Sequence, residues 1–182
     1  TMKRSQTEQA KSQDKNSYFD KIELGMTIEQ VEGVMGRKAD TSEHVEETGL
    51  GIATGYTWNL EDESISVTIN ESDLQNKYVV YLSTKKIDKV AYLDQLDTEK
   101  AMEKLELGSN YGQVCEKLGG QGNPTVKMYA GQPNGEKIGV ISYSFIDHQG
   151  NQITGIFDSN LNLCGVLAEP KKVQAKFLLS DA

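Results

Sequence analysis

The sequence predicts an α+β fold: two tandem repeats, each with two short helices followed by antiparallel strands, with the helices on one face of the strands. Three observations lead there. The segment KIELGMTIEQVEGVMG at residues 21–36 recurs as KLELGSNYGQVCEKLG at residues 104–119, with seven of sixteen positions identical after a shift of 83 residues. An internal period of this kind signals a duplicated structural unit. Each copy is followed by runs rich in Tyr, Val, Ile and Thr, bounded by polar turn formers, as hairpin strands are. Within those runs large apolar residues alternate with small polar ones, which gives a sheet one buried and one open face.

In chain order, residues 1–17 hold few apolar side chains among Lys, Gln, Ser and Glu. That composition cannot bury a core and reads as a disordered tether. A polar tether ahead of a compact domain is what a lipoprotein shows after its lipidated cysteine. The first repeat is expected over residues 18–93 and the second over residues 94–182. Tyr18, Phe19 and Ile22 open the first as a short helical turn. Thr27 and Asn110 occupy N-cap positions, with Gln30 and Gln113 three residues on. This is the capping box, which satisfies free N–H groups at a helix start. Ile28, Val31 and Met35 then share one helical face, as do Tyr111, Val114, Cys115 and Leu118. Gly36 and Gly119 stand where a left-handed C-terminal cap is needed.

Residues 37–51 read as a polar, acidic connection holding Glu43, His44, Glu46 and Glu47. Strands are expected at Ala53–Leu60, Ser64–Asn70 and Lys77–Ser83. A helix near Glu99–Leu105 opens the second repeat, whose strands fall near Thr125–Tyr129, Lys137–Ile146, Gln152–Asp158 and Leu163–Leu167. The tail Lys171–Leu179 is apolar enough to dock as a helix or a strand. Alternation places Tyr56, Trp58, Leu60, Ile65, Val67 and Ile69 on the helix-covered side, with Ile141, Tyr143, Phe145, Ile153 and Phe157 as their counterparts. Trp58, tempting as a ligand platform, is thereby assigned to the core. The open side collects Thr57, Asn59, Ser66, Thr68 and Asn70, then Ser142, Ser144 and Thr154.

Composition narrows the function. The chain has 182 residues, 25% of them charged, and a formal net charge of −8. An acidic surface argues against a nucleic-acid partner, which needs basic contacts to phosphate. No run of 18 or more apolar residues is present, so membrane association is expected only through an N-terminal lipid anchor. Two histidines, His44 and His148, lack the neighbours a catalytic triad needs. Glu61, Asp62 and Glu63 form an acidic run in a predicted turn, where a carboxylate suits a partner's cationic pocket. Gly119, Gly120 and Gly122 follow a helix instead of leading into one, the wrong end of the dipole for phosphate. Cys115 and Cys164 lack nearby histidines for a zinc site. A disulfide pinning helix to sheet and two buried free thiols both accommodate them. No catalytic residue, metal site or cofactor is therefore expected, and the chain is read as a non-enzyme.

The pattern Phe19-x-x-Ile22-x-x-Gly25-Met-Thr-x-x-Gln30-Val31, with its weaker second copy, resembles the tandem-repeat β-lactamase inhibitory proteins. The same Gly-Met-Thr-x-x-Gln-Val module occurs as a single copy in small lipoproteins of outer-membrane assembly. The resemblance covers about residues 18–168 and implies two helix–loop–helix units, each followed by four antiparallel strands, joined into one curved antiparallel sheet with helices on one face. It also implies docking through the open sheet face and one hairpin loop per half. Matching along the strands puts the first loop at Glu61–Ser64, with Asp62 nearest the inhibitor's loop aspartate that enters the enzyme's active site. The second loop falls at Asp147–Gly150, with His148 where the inhibitor carries an aromatic. Ser64 and Ser66 stand where the inhibitor has tyrosines, and no cysteine lies near Ala39 or Gly51 to reproduce its disulfide.

The reading from sequence is a secreted or surface-tethered protein-binding module in the extracellular space or cell envelope. It docks as a rigid body, with Asp62 and Glu63 complementing a basic site. Thr57, Ser66, Thr68, Ser142 and Ser144 supply hydrogen bonds, and His148 completes the set. A β-lactamase or a penicillin-binding protein is the partner expected. The alternative is a structural envelope-assembly lipoprotein without a soluble partner.

Overall fold

The computed structural model describes residues 17–47, 51–71, 77–86, 89–131, 134–169 and 174–177. The expected tether lies outside them, except for Ser17. Helices α1 (Tyr18–Lys21) and α2 (Ile28–Met35) precede strands β1 (Thr41–Glu47), β2 (Gly51–Asn59), β3 (Glu63–Asn70) and β4 (Val79–Lys86). Helices α3 (Thr98–Lys104) and α4 (Tyr111–Leu118) precede β5 (Asn123–Gly131), β6 (Lys137–Ile146), β7 (Gln152–Phe157), β8 (Leu163–Glu169) and β9 (Gln174–Phe177). Each strand is hydrogen-bonded to the next in sequence, from β1 through β9, in one open antiparallel sheet. The class is α+β. The described residues pack as two compact units, one drawn from 17–89 with 126–129 and the other from 90–125 with 130–177.

Local sequence accounts for the helices. The Thr27 hydroxyl accepts from the Gln30 N–H and the Gln30 side chain accepts from the Thr27 N–H, at 3.2 and 2.9 Å. Asn110 and Gln113 repeat this box at 2.9 and 3.0 Å. Gly36 and Gly119 end α2 and α4 in the left-handed conformation, at φ of 75° and 85°. Ahead of each capped helix, a turn is stitched to a strand by paired backbone bonds. The Gly25 N–H donates to the Val79 carbonyl and the Val79 N–H donates to that of Met26, at 2.9 and 2.8 Å. The Gly108 N–H donates to Leu163 and the Leu163 N–H to Ser109, both at 2.7 Å.

In the unit of residues 17–89, β3 alternates strictly between buried and half-buried positions. Trp58, Ile65, Val67, Ile69, Val79 and Leu82 are buried on one face, along with Phe19, Ile22, Val31 and Met35 from the helical segment. Trp58 is thus a core residue, its indole N–H donating to the Arg37 carbonyl at 3.0 Å. Lys127 of β5 reaches under the same face. Its ammonium donates at 2.9 Å to both the Phe19 and Ile22 carbonyls, which α1 leaves free at its C-terminus.

In the unit of residues 90–177, Ala101, Met102 and Leu105 of the α3 segment and Tyr111, Val114 and Leu118 of α4 join Phe145, Ile153, Phe157, Leu163 and Val166 in one core. Ile141 and Tyr143 pack at its margin. Gly155 makes room for an aromatic ring, since a Cβ there would lie 2.8 Å from the Phe157 ring. Cys115 and Cys164 are free, half-buried thiols.

One expectation requires correction. Residues 37–51, read as a connection, contain β1, and His44 with Glu43, Glu46 and Glu47 lies on a strand. Polar composition hid this strand, because an edge strand gains its stability from backbone pairing, here with β2, and Thr41, Ser42, Glu43 and His44 are exposed. In the tail, expected to dock as a helix or a strand, Gln174–Phe177 form strand β9.

Candidate functional site

The open face of the first unit is a row of hydroxyls. Cross-strand register aligns Thr41 with Thr57, Thr57 with Ser66, and Ser66 with Ser83. Directly opposed residues share a face, so the four hydroxyls line one side of the sheet. Thr57 Oγ1 and Ser66 Oγ lie 3.0 Å apart. The adjacent row runs Glu43, Gly55, Thr68, Tyr81 and Met128. The structure therefore brings Thr57, Ser66 and Thr68 together.

The β2–β3 turn at the end of this face carries Asp62, which is exposed. Glu63 departs from the expectation of a solvated loop carboxylate. It is only 7% exposed and begins β3 on the helix-covered side, in phase with Ile65 and Val67. Its Oε2 accepts from Thr84 Oγ1 at 3.1 Å, so it anchors the turn from beneath. The other root of the turn is clamped by Arg37 and Asp40. Asp40 Oδ2 accepts from the Asn59 N–H at 2.7 Å, and Arg37 donates to the Asn59 carbonyl at 3.2 Å. The Arg37 guanidinium and the Asn59 N–H hold the Asp40 carboxyl below the ordinary carboxylate value. Asp62 thus projects from a turn fixed on both sides.

In the second unit, Ser144 faces Thr154 and Thr154 faces Leu167, while Ser142 faces Ile156. This face is less hydroxyl-rich than alternation implies, because Ile156 and Leu167 interleave with the serines. The β6–β7 turn is built on Asp147, which is 2% exposed. Its carboxylate accepts from the Gln149, Asn151 and Leu96 N–H groups at 2.9–3.0 Å, and from the Asn151 amide at 2.9 Å. The Asn151 side chain first, then these backbone donors, hold the Asp147 pKa below the usual carboxylate range. At the tip His148 is exposed and stacks on Tyr92, centroids 4.3 Å apart and planes at 18°.

Sequence reasoning missed Tyr92, Tyr81 and Met128. Tyr92 meets His148 through a long-range contact that no local pattern announces. Tyr81 was hidden by a bulge between Thr68 and Ile69, which breaks period-two phase in β4 and leaves Val79 and Leu82 both buried. Among the described residues no group of three or more His, Cys, Asp or Glu could hold a metal ion. Among the described residues no helix is long and apolar enough to cross a membrane.

Residues 15–145 match the family model described as "Beta-lactamase inhibitor (BLIP)". Among solved structures, a "putative beta-lactamase inhibitor protein" from Streptococcus mutans is similar in fold, with a TM-score of 0.53 and 17% sequence identity. The alignment covers 88% of this chain and 98% of that one. No curated protein sequence matches.

Proposed function

Because the chain belongs to the beta-lactamase inhibitor (BLIP) family, we propose that it is a non-catalytic, secreted or surface-tethered protein-binding module whose partner is a β-lactamase or a penicillin-binding protein. One observation carries this. Each unit ends its open face in a hairpin turn with an exposed tip residue, Asp62 or His148, beside a buried carboxylate, Glu63 or Asp147, that holds the turn. Preorganised tips lower the entropy cost of association.

We read the two units as copies of one duplicated module. The recurrent capping boxes and the matching stitches of Gly25–Met26 to Val79 and Gly108–Ser109 to Leu163 support this. Each unit docks as a rigid body. Asp62 meets a basic site, Thr57, Ser66 and Thr68 offer hydrogen bonds from one unit, and Ser142, Ser144 and His148 offer contacts from the other. Glu63 contributes by holding the turn, since its carboxylate is already engaged.

The test is biolayer interferometry of the full chain against a panel of purified β-lactamases and penicillin-binding transpeptidase domains, with Asp62→Asn alongside. Specific binding weakened about tenfold or more by Asp62→Asn is expected, as for loss of one buried interfacial charge contact. Binding to no panel member refutes the reading. Equal binding by Asp62→Asn keeps the partner class and removes Asp62.

A further inference from the structure

Asn134 and Gly135 lie between β5 and β6, and both are exposed. The chain has ten asparagines, and Asn134 is the one that glycine follows. The order matters chemically. The backbone nitrogen after an asparagine can attack that residue's own side-chain carbon and close a succinimide ring. A side chain on the attacking residue would crowd the approach, and glycine has none. At several other asparagines the fold occupies this nitrogen. The N–H that follows Asn59, Asn70, Asn110, Asn160 or Asn162 donates to a backbone carbonyl at 2.7–2.9 Å. Asn123 is followed by Pro124, whose nitrogen has no proton to lose.

The turn does more than leave room. The Glu136 N–H donates to Asn134 Oδ1 at 3.0 Å, so the Asn134 side chain arches back over Gly135. That donor points at the oxygen on which negative charge grows when Cγ is attacked. A donor already in place there lowers the barrier, and holding both reacting groups in one turn makes the attack an oriented intramolecular step. Gly135 has a φ of 85°, a conformation that glycine adopts without steric cost. The hairpin therefore asks for the same residue that leaves the nitrogen open to react.

We propose that Asn134 is a self-modification site, where the chain turns its own side-chain amide into a carboxylate without an enzyme. Hydroxide takes the Gly135 N–H proton, and the nitrogen's electron pair attacks Asn134 Cγ. The new N–Cγ bond forms, the Cγ–Nδ2 bond breaks, and the amide nitrogen leaves as ammonia with a proton from water. Water then opens the succinimide at either carbonyl, giving an aspartyl or an isoaspartyl linkage. Water is taken up and ammonia released, with no redox change. The product adds a negative charge beside Glu136, and the isoaspartyl form puts an extra methylene into the hairpin backbone. Strand β6 (Lys137–Ile146) separates this site from the His148 turn by roughly 30 Å, so the proposal stands apart from the docking reading.

The test is peptide mapping by mass spectrometry of the full chain, incubated in neutral and in mildly alkaline buffer, both folded and unfolded in urea. Hydroxylamine, which cleaves succinimides, reports the intermediate. In the folded chain, position 134 is expected to convert ahead of every other asparagine, faster at the higher pH, with hydroxylamine cleavage after residue 134. Its rate is expected to be no slower than in urea, because the Glu136 donor acts only in the folded turn. Asn134→Gln, whose longer side chain disfavours the ring, should abolish the conversion with an unchanged unfolding midpoint. Conversion led by another asparagine, no conversion, conversion without a hydroxylamine-sensitive intermediate, or a slower rate folded than unfolded would each overturn the proposal.

Discussion

His148 and Tyr92 stack face to face, their ring centroids 4.3 Å apart, although both rings lie at the surface. An exposed stack adds little to a core, but it holds the His148 ring in one orientation before any partner arrives. Aromatic pairs contribute about 0.5–1.5 kcal/mol beyond their buried area. Tyr92→Ala is therefore predicted to weaken partner binding by roughly twofold to twelvefold, mostly through faster dissociation. Interferometry measures this directly. An unchanged dissociation rate removes the second turn from the interface.

The turn beneath that stack is acid-sensitive. The folded protein holds the Asp147 pKa below its unfolded value, chiefly through the Asn151 side chain and the Leu96, Asn151 and Gln149 N–H groups. The carboxylate's contribution to stability is thus fully present above the unfolded pKa. It is lost as pH falls through the lower, folded value. Wild-type chain is predicted to lose thermal stability on acidification in that window. Asp147→Asn should start less stable at neutral pH and show a flatter acid limb, read by unfolding midpoints from pH 7 downwards. Parallel curves for the two proteins contradict the assignment.

Lys127 is 8% exposed and donates to two carbonyls at the end of α1, its ammonium also 5.0 Å from the Phe19 ring. Burial pushes its pKa down while Glu23 and Asp20 oppose the shift. Lys127→Met leaves the Phe19 and Ile22 carbonyls without their donor and is predicted to cost about 1–3 kcal/mol. The exposed Lys117 ammonium donates to the Lys104 carbonyl at the end of α3, and Lys117→Met should cost only about 0.3–1 kcal/mol. Urea unfolding of the two variants checks the order, and a reversed order contradicts it.

Gly155 and Gly55 give opposite predictions for similar substitutions. Gly155→Ala forces a methyl against the buried Phe157 ring and is predicted to destabilise by about 1–3 kcal/mol, as overpacking does. Gly55→Ala should leave the unfolding midpoint unchanged or slightly raised, because open space receives the methyl. Differential scanning calorimetry of the pair decides.

Features governed by short-range physics were legible in the sequence. The Thr27–Gln30 and Asn110–Gln113 boxes close over three residues, so their spacing carries their structure. Period-two alternation placed Trp58, Ile65, Val67, Phe145 and Phe157 inside, since every second strand residue faces one way. The rest depended on long-range pairing. In β5 the usual polarity is inverted, with Lys127 buried and Met128 exposed. The free carbonyls of α1 draw the lysine inward, and β5 alternation then turns Met128 outward. Asp62 was legible as an exposed acid. The inward turn of Glu63 follows from its being the first residue of β3, in register with Lys86, which turn composition does not reveal.

The most direct test of docking through the open faces and turns is hydrogen–deuterium exchange of the chain with and without a panel member that binds it. Slowed exchange is predicted at 55–68, 79–85 and 142–150, with α1, α2, α3 and α4 unaffected. Protection confined to the helices, with the open-face strands and both turns unchanged, would contradict the account.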